Sequence, residues 1–270
     1  MRIRAAAASV IGARHLRCSK NGQDAALARV DGDVAVAVVC DGCSSGTRSE
    51  LGAQLGAALF ARALTARLRA GASVTSPATW LAVRSDVVRA LADLIERMAC
   101  SAFDSARVAH EYFLFTVVAA AVTPDAAAVW ALGDGAYSFG DHTRVLGPFA
   151  DNAPPYLAYE LVGDTRPAHF EVAPPSCGAI IVATDGATDG AADMATGIAT
   201  DNGLDGFAAN IGLERFAADP FLDHPDALRR QLSVLARPTE RIDWNERRVV
   251  RTPALLQDDC AVGVLRWSVS

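Results

Sequence analysis

The stretch QDAALARVDGDVAVAVVCDG, Gln23 to Gly42, constrains the fold more than any other in the chain. Two apolar runs, Ala25 to Val30 and Val34 to Cys40, flank Asp31-Gly32, a dipeptide suited to the tight turn of a β-hairpin. In antiparallel pairing the end of one strand lies beside the start of its neighbour, so Asp24 and Asp41 fall on one edge. The second run ends in Cys40-Asp41-Gly42-Cys43, which admits two chemistries. A Cys-x-x-Cys zinc site needs two further ligands, and no second Cys-x-x-Cys or paired histidine stands at usable spacing. A thioredoxin-like motif would sit at a helix start after a strand, which fits superficially, but the intervening Asp-Gly fits it poorly. The other chemistry runs through the carboxylate.

The rest of the chain supplies further strands with the same ending. The start, MRIRAAAASVIGARH, reads as a first strand, its apolar run closed by Arg14 and His15, and a loop with His15, Arg17, Lys20 and Asn21 follows. Leu51, Leu55, Leu59, Leu64 and Leu68 predict a helix over 46–70 with Ser49 or Thr47 as cap, and Trp80, Val83, Val87, Leu91, Leu94 and Met98 a second over 77–100. From Glu111 onward two apolar runs around Thr123-Pro124-Asp125, then Gly133-Asp134-Gly135 and a third run, predict a β-meander. Residues 141–175 read as loops with one or two short strands, Gly178 to Asp185 as a buried strand, 203–237 as two short helices and 238–253 as a charged loop. QDDCAVGVLRW predicts the last strand. No repeat or linker divides the chain, so one domain over 1–270 is expected.

Five aspartates therefore stand at strand ends: Asp24, Asp41, Asp134, Asp185 and Asp258. Ionised carboxylates gathered within a few ångströms repel one another, and a divalent cation removes that cost. An oxygen-rich site selects hard ions such as Mg²⁺ or Mn²⁺. A single Asp-Gly is commonly a turn, as at Asp31-Gly32, but the combination points to shared metal binding.

The ordered series GARHLRCSKNGQDA, VAVVCDGCSSGTRSELGA, VWALGDGAYSF, IIVATDGATDG and LLQDDCAVGVL resembles the metal-dependent serine/threonine protein phosphatases of type 2C, in particular a bacterial branch opening with G-x-x-H…QDA. The resemblance spans about residue 10 to 266 and implies an α+β fold, a four-layer α-β-β-α sandwich of two antiparallel sheets flanked by helices. It implies a binuclear Mg²⁺ or Mn²⁺ centre in which Asp41 bridges both ions, the Gly42 carbonyl and Asp185 and Asp258 are direct ligands, Asp24 holds metal-bound water and Asp134 serves a third, weaker ion. The implied reaction is direct hydrolysis of phosphoserine or phosphothreonine on a phosphorylated protein, opposite a cognate kinase, with no phosphoenzyme.

Two departures bear on catalysis. Cys43 occupies a position where some relatives carry histidine, which leaves His15 as a candidate proton donor. Ser19 stands at the spacing of the family's phosphate-binding arginine, which leaves Arg17, and after it Arg14, as candidates, with a solvated surface arginine equally open. A phosphatase-like binding or sensor module without strong turnover is the competing expectation.

Composition narrows the partners. The net charge of -6 argues against a general nucleic-acid binder, and no run approaches the roughly 18 apolar residues of a membrane span. Six scattered cysteines without a secretory signal fit reduced thiols in a cytoplasmic protein.

Overall fold

A computed structural model of the protein describes residues 1–140, 142–150, 153–174, 176–188 and 212–268. The predicted hairpin forms from β2 (Ala25–Asp31) and β3 (Val34–Cys40), with Asp31 opposite Val34 and Ala25 opposite Cys40. β4 (Val117–Val122), β5 (Ala127–Leu132) and β8 (His169–Val172) extend it to an antiparallel sheet of order β2-β3-β4-β5-β8. The second sheet has the order β1-β12-β9-β6-β7, built from Arg2–Val10, Cys260–Ser268, Ala179–Ala183, Gly135–Phe139 and His142–Leu146.

Strand alternation explains the layering. Along β3, Ala35, Ala37 and Val39 face the second sheet, where they meet Val182, Ala261 and Leu265 in the middle of the sandwich. Val34, Val36, Val38 and Cys40 face outward against Phe60, Leu64, Trp80 and Leu91 of α2 (Ser49–Arg69) and α3 (Pro77–Met98). The outer face of the second sheet, including Ile181, Val262 and Val264, is covered by Leu213, Phe216, Leu228 and Leu232, the last two on α6 (Ala227–Leu235). This is the expected four-layer α-β-β-α arrangement.

Several local expectations are corrected. The run after Asp134 does not continue a meander: β6 leaves the sheet of β4 and β5 and pairs with β9 and β7 in the other. Gly133 and Gly135 make the crossing at φ of 102° and 128°, a region that disfavours side chains. His15 and Arg17 lie not in a loop but in a short helix, α1 (Ala13–Arg17). Helix α4 (Ala102–Tyr112) went unpredicted. Ser49 does not cap α2: it is buried as the first helical residue and accepts a hydrogen bond from Gln23 Nε2 at 2.5 Å, while Arg48 takes the cap position without a side-chain bond. The charged stretch 238–253 is a hairpin, β10 (Thr239–Asp243) and β11 (Arg248–Thr252). Of the helices expected over 203–237, α5 (Asp219–Asp223) and α6 lie among the described residues, and 203–211 lie outside them.

Candidate metal centre

Asp41, Asp134 and Asp185 follow the ends of β3, β5 and β9, and Asp24 and Asp258 precede the starts of β2 and β12. Past β3 the chain runs beside residues 114–116: the Asp41 carbonyl accepts the Thr116 N–H at 2.8 Å, and the Cys43 N–H donates to the Leu114 carbonyl at 2.9 Å. Asp41 is thereby held at the rim of the sandwich. Asp134 arrives from the crossing between the sheets. Asp185 opens a helical turn after β9, its carbonyl accepting both the N–H and the Oγ1 of Thr188 at 2.6 and 2.8 Å. Oxygens of Asp41, Asp134 and Asp185 lie within 4.8 Å of one another.

Asp24 is buried beside them. Thr184 Oγ1 donates to its Oδ2 at 2.5 Å, and Asp24 and Asp41 lie close enough for each carboxyl to influence the other.

The Asp258-Asp259 pair divides its labour. Asp258 lies close enough to Asp185 to raise its pKa. Asp259, which sequence reasoning passed over, is buried and accepts the Gly12 N–H at 2.8 Å, the Gln23 N–H at 2.6 Å and His15 Nδ1 at 2.7 Å. With Nδ1 donating to Asp259, His15 presents Nε2 toward Asp258 Oδ1 at 3.7 Å. His15, Asp258 and Asp259 form a second converging group. Backbone contact holds this dipeptide in place: a Cβ on Gly12 would lie 2.1 Å from the Asp258 carbonyl carbon, and one on Gly186 1.8 Å from the Asp259 oxygen. The glycines of GARH and TDG are thus explained by close approach.

All these groups open into one cavity of about 500 Å³. One wall is acidic, with Asp24, Asp41, Asp134, Asp185 and Asp258. Gly42 and His15 also line it, and so do Ala109, Leu114, Tyr156 and Tyr159 on the apolar side. Burial and the neighbouring Asp134 and Asp258 push Asp185 up from 3.8 to about 7. Burial raises Asp24 and Asp41 well above the ordinary 3.8, helped by repulsion from Asp259 and Asp185 on Asp24 and from Asp24, Asp185 and Asp134 on Asp41.

The candidate arginines lie at the edge. Both are exposed and neither lines the cavity, but Arg14 Nη1 stands 3.7 Å from Asp258 Oδ2. Among the described residues no cysteine joins a converging ligand group. Cys40 is a core side chain whose thiol is pushed up by burial. Burial acts on Cys43 in the same direction but is outweighed by hydrogen bonds from Ser45 and Tyr156, which lower it.

The family model of protein phosphatase 2C matches residues 11–232. The chain belongs to the protein phosphatase 2C family. Solved structures agree on the fold. A bacterial serine phosphatase, solved as a point mutant, has TM-score 0.58 at 12% identity, over 99% of this chain and 100% of that one. The serine/threonine phosphatase Stp1 from Staphylococcus aureus has TM-score 0.56 at 12% identity, over 100% and 96%. PppA, a regulatory component of T6SS in Pseudomonas aeruginosa, has TM-score 0.53 at 14% identity, over 98% of each chain. No curated protein matches the sequence. Among the described residues no helix is long and apolar enough to cross a membrane.

Proposed function

We propose that the protein is a metal-dependent phosphoprotein phosphatase that hydrolyses phosphoserine and phosphothreonine at a binuclear Mg²⁺ or Mn²⁺ centre in this cavity. The observation that carries the reading is the convergence of Asp41, Asp134 and Asp185 within 4.8 Å, beside Asp24 and Asp258. A hard divalent cation suits this all-oxygen donor set, because carboxylates crowded in this way otherwise resist ionisation. Gln23 Oε1, buried against the same cavity, has no hydrogen-bond partner among the described residues.

Asp41, the Gly42 carbonyl, Asp185 and Asp258 would hold two ions, and Asp134 a third. Bound there, divalent ions supply a water acidic enough to attack phosphorus at neutral pH and positive charge for the phosphoryl oxygens. Asp24, oriented by Thr184 Oγ1, would accept a proton from the attacking water. His15, fixed by Asp259 at Nδ1, can carry a proton at Nε2 for the leaving serine or threonine oxygen. Arg14 is better placed than Arg17 to meet an incoming phosphate, because it already reaches the acidic wall. The substrate is a phosphorylated protein, set against a cognate kinase in the cytoplasm.

Purified protein with Mn²⁺ should hydrolyse p-nitrophenyl phosphate and a phosphothreonine peptide, and Asp41→Asn should abolish both. That neither Arg14 nor Arg17 is among the cavity-lining residues favours one second reading, a phosphatase-like sensor that binds without turnover. Metal binding by calorimetry with no hydrolysis across divalent ions and substrates would select the sensor.

A further inference from the structure

The charged stretch between α6 and the last strand forms an arm outside both main sheets. β10 and β11 pair with each other in a separate two-stranded sheet. The arm is tied down at its root, where the N–H groups of Leu255 and Leu256 donate to the Leu235 carbonyl at 2.9 and 3.1 Å. A two-stranded hairpin is marginally stable alone in water, yet this one exposes three large apolar side chains: Ile242, Trp244 and Val249 are 54%, 77% and 55% exposed. Ile242 and Val249 are cross-strand partners and so form one apolar spot, flanked by the Glu240–Arg251 ion pair at 2.8 Å. On the opposite face Arg241 and Arg248 are diagonal neighbours. Trp244 follows in a turn fixed by Asp243 Oδ1, which accepts the Asn245 and Glu246 N–H groups at 3.2 and 3.1 Å.

The charge of the arm opposes that of the protein. Residues 237–251 carry five arginines against three acidic residues, a local excess of positive charge in a chain of net -6. Among the described residues only Arg251 of the five forms an ion pair. The same sign continues toward the carboxylate cavity. Arg237, at the foot of the arm, lines a surface depression together with Leu16 of α1, and α1 carries Arg17 and the Arg14 that faces Asp258.

We propose that the β10–β11 hairpin is a docking arm for an acidic segment of a phosphorylated protein, gripping its carboxylates with Arg241 and Arg248 and its apolar side chains with Trp244. The proposal rests on the phosphatase reading for the identity of that partner. Arginine and tryptophan are the side chains that most often anchor protein interfaces. A uniform polyanion, whether nucleic acid or anionic lipid, would set its phosphates against Glu240, Asp243 and Glu246 as well as the arginines. A protein segment can alternate its charges to suit this mixture, including Asp243 opposite Arg248, and offer an apolar side chain to Trp244 in the turn.

The test uses the full chain, an Arg241→Glu/Arg248→Glu double variant and Trp244→Ala. The probes are p-nitrophenyl phosphate and two long phosphothreonine peptides, one with a tail of Asp, Glu and Leu and one with Gly and Ser in its place. The wild type should show a KM about tenfold lower for the acidic tail, and the double variant should lose that advantage, since a few rim charge contacts are worth about this much. Turnover of p-nitrophenyl phosphate should be equal in all three proteins. Equal KM values for the two peptides in the wild type, or an undiminished preference in the variants, would overturn the proposal. Fluorescence anisotropy with the unphosphorylated acidic peptide, duplex DNA and phosphatidylserine vesicles supplies a readout without catalysis. Stronger, variant-sensitive binding to DNA or vesicles would also overturn it. Variant-sensitive peptide binding in a protein that turns over no phosphate ester would support the arm and remove the phosphatase reading.

Discussion

Asp185 offers the sharpest test of the carboxylate cluster because its cost can be worked out. In the metal-free fold its pKa lies near 7 against an ordinary 3.8. A raised carboxyl pKa means that folding favours the protonated form, so the penalty is absent below the unfolded value and fully developed above the folded one. Stability of the metal-free protein should therefore fall as pH rises from about 4 to about 7. The difference between 3.8 and about 7 corresponds to about 4 kcal/mol when fully developed. Asp185→Asn removes the ionisable group, so in EDTA at pH 8 it should stabilise the protein by up to that amount, and at pH 4 by almost nothing. With a urea dependence of about 2–3 kcal/mol per molar, the midpoint at pH 8 should rise by about 1–2 M. Urea melts followed by tryptophan fluorescence read this directly. Added Mn²⁺ should raise the wild-type midpoint and leave the variant's far less changed. If Asp185→Asn melts at or below the wild-type urea concentration at pH 8 in EDTA, the carboxylates are not crowded and the electrostatic case for a cation fails.

Two other perturbations have a clear direction. Asp259→Ala strips three buried donors of their acceptor, on Gly12, Gln23 and His15, and should cost about 3–5 kcal/mol in thermal or urea melts; Asp259→Asn should cost less, and an unchanged melting curve for the alanine variant would contradict the clamp. Tyr137→Phe removes a phenol that donates to Glu171 Oε2 at 2.5 Å and accepts from His169 Nε2 at 2.7 Å, linking β6 of one sheet to β8 of the other. It should destabilise by about 1–2 kcal/mol while leaving phosphatase turnover intact, whereas a loss of turnover without loss of stability would place Tyr137 in the chemistry.

What the sequence discloses and what it hides follow from different physics. The apolar runs and the Asp-Gly stops located most of the core strands and all five aspartates, because burial and turn chemistry are local. The sheet switch at Asp134 was invisible, since alternation tells which residues share a face and not which sheet the strand joins. β10 and β11 escaped because neither buries a face, so their polar sequence shows no period of two. Helix α4 is short and follows α3 after only a few residues, which blurs its boundary. In QDD the two carboxylates looked interchangeable; that Asp259 turns inward to His15, 244 residues away in sequence, is a long-range fact. The family resemblance supplied the proposed ligand assignment, and the geometry adds what holds those carboxylates in place.

The site lies where two opposing tendencies meet. Asp24 and Asp41 come from the edge of one sheet, Asp185 and Asp258 from the edge of the other, and Asp134 from the crossing between them. Their repulsion acts to part the sheets at this end, against the packed layer of Ala35, Val39, Val118, Val182 and Leu265 between them. Two sets of hydrogen bonds span the divide here: Thr184 at the end of β9 donates to Asp24 before β2, and Asp259 before β12 accepts from Gln23 beside it. Both use a carboxylate as acceptor, so the groups that create the repulsion also carry the links that contain it. Cations bound among these residues would turn the remaining repulsion into attraction across the same gap, which ties metal occupancy to the docking of the sheets themselves.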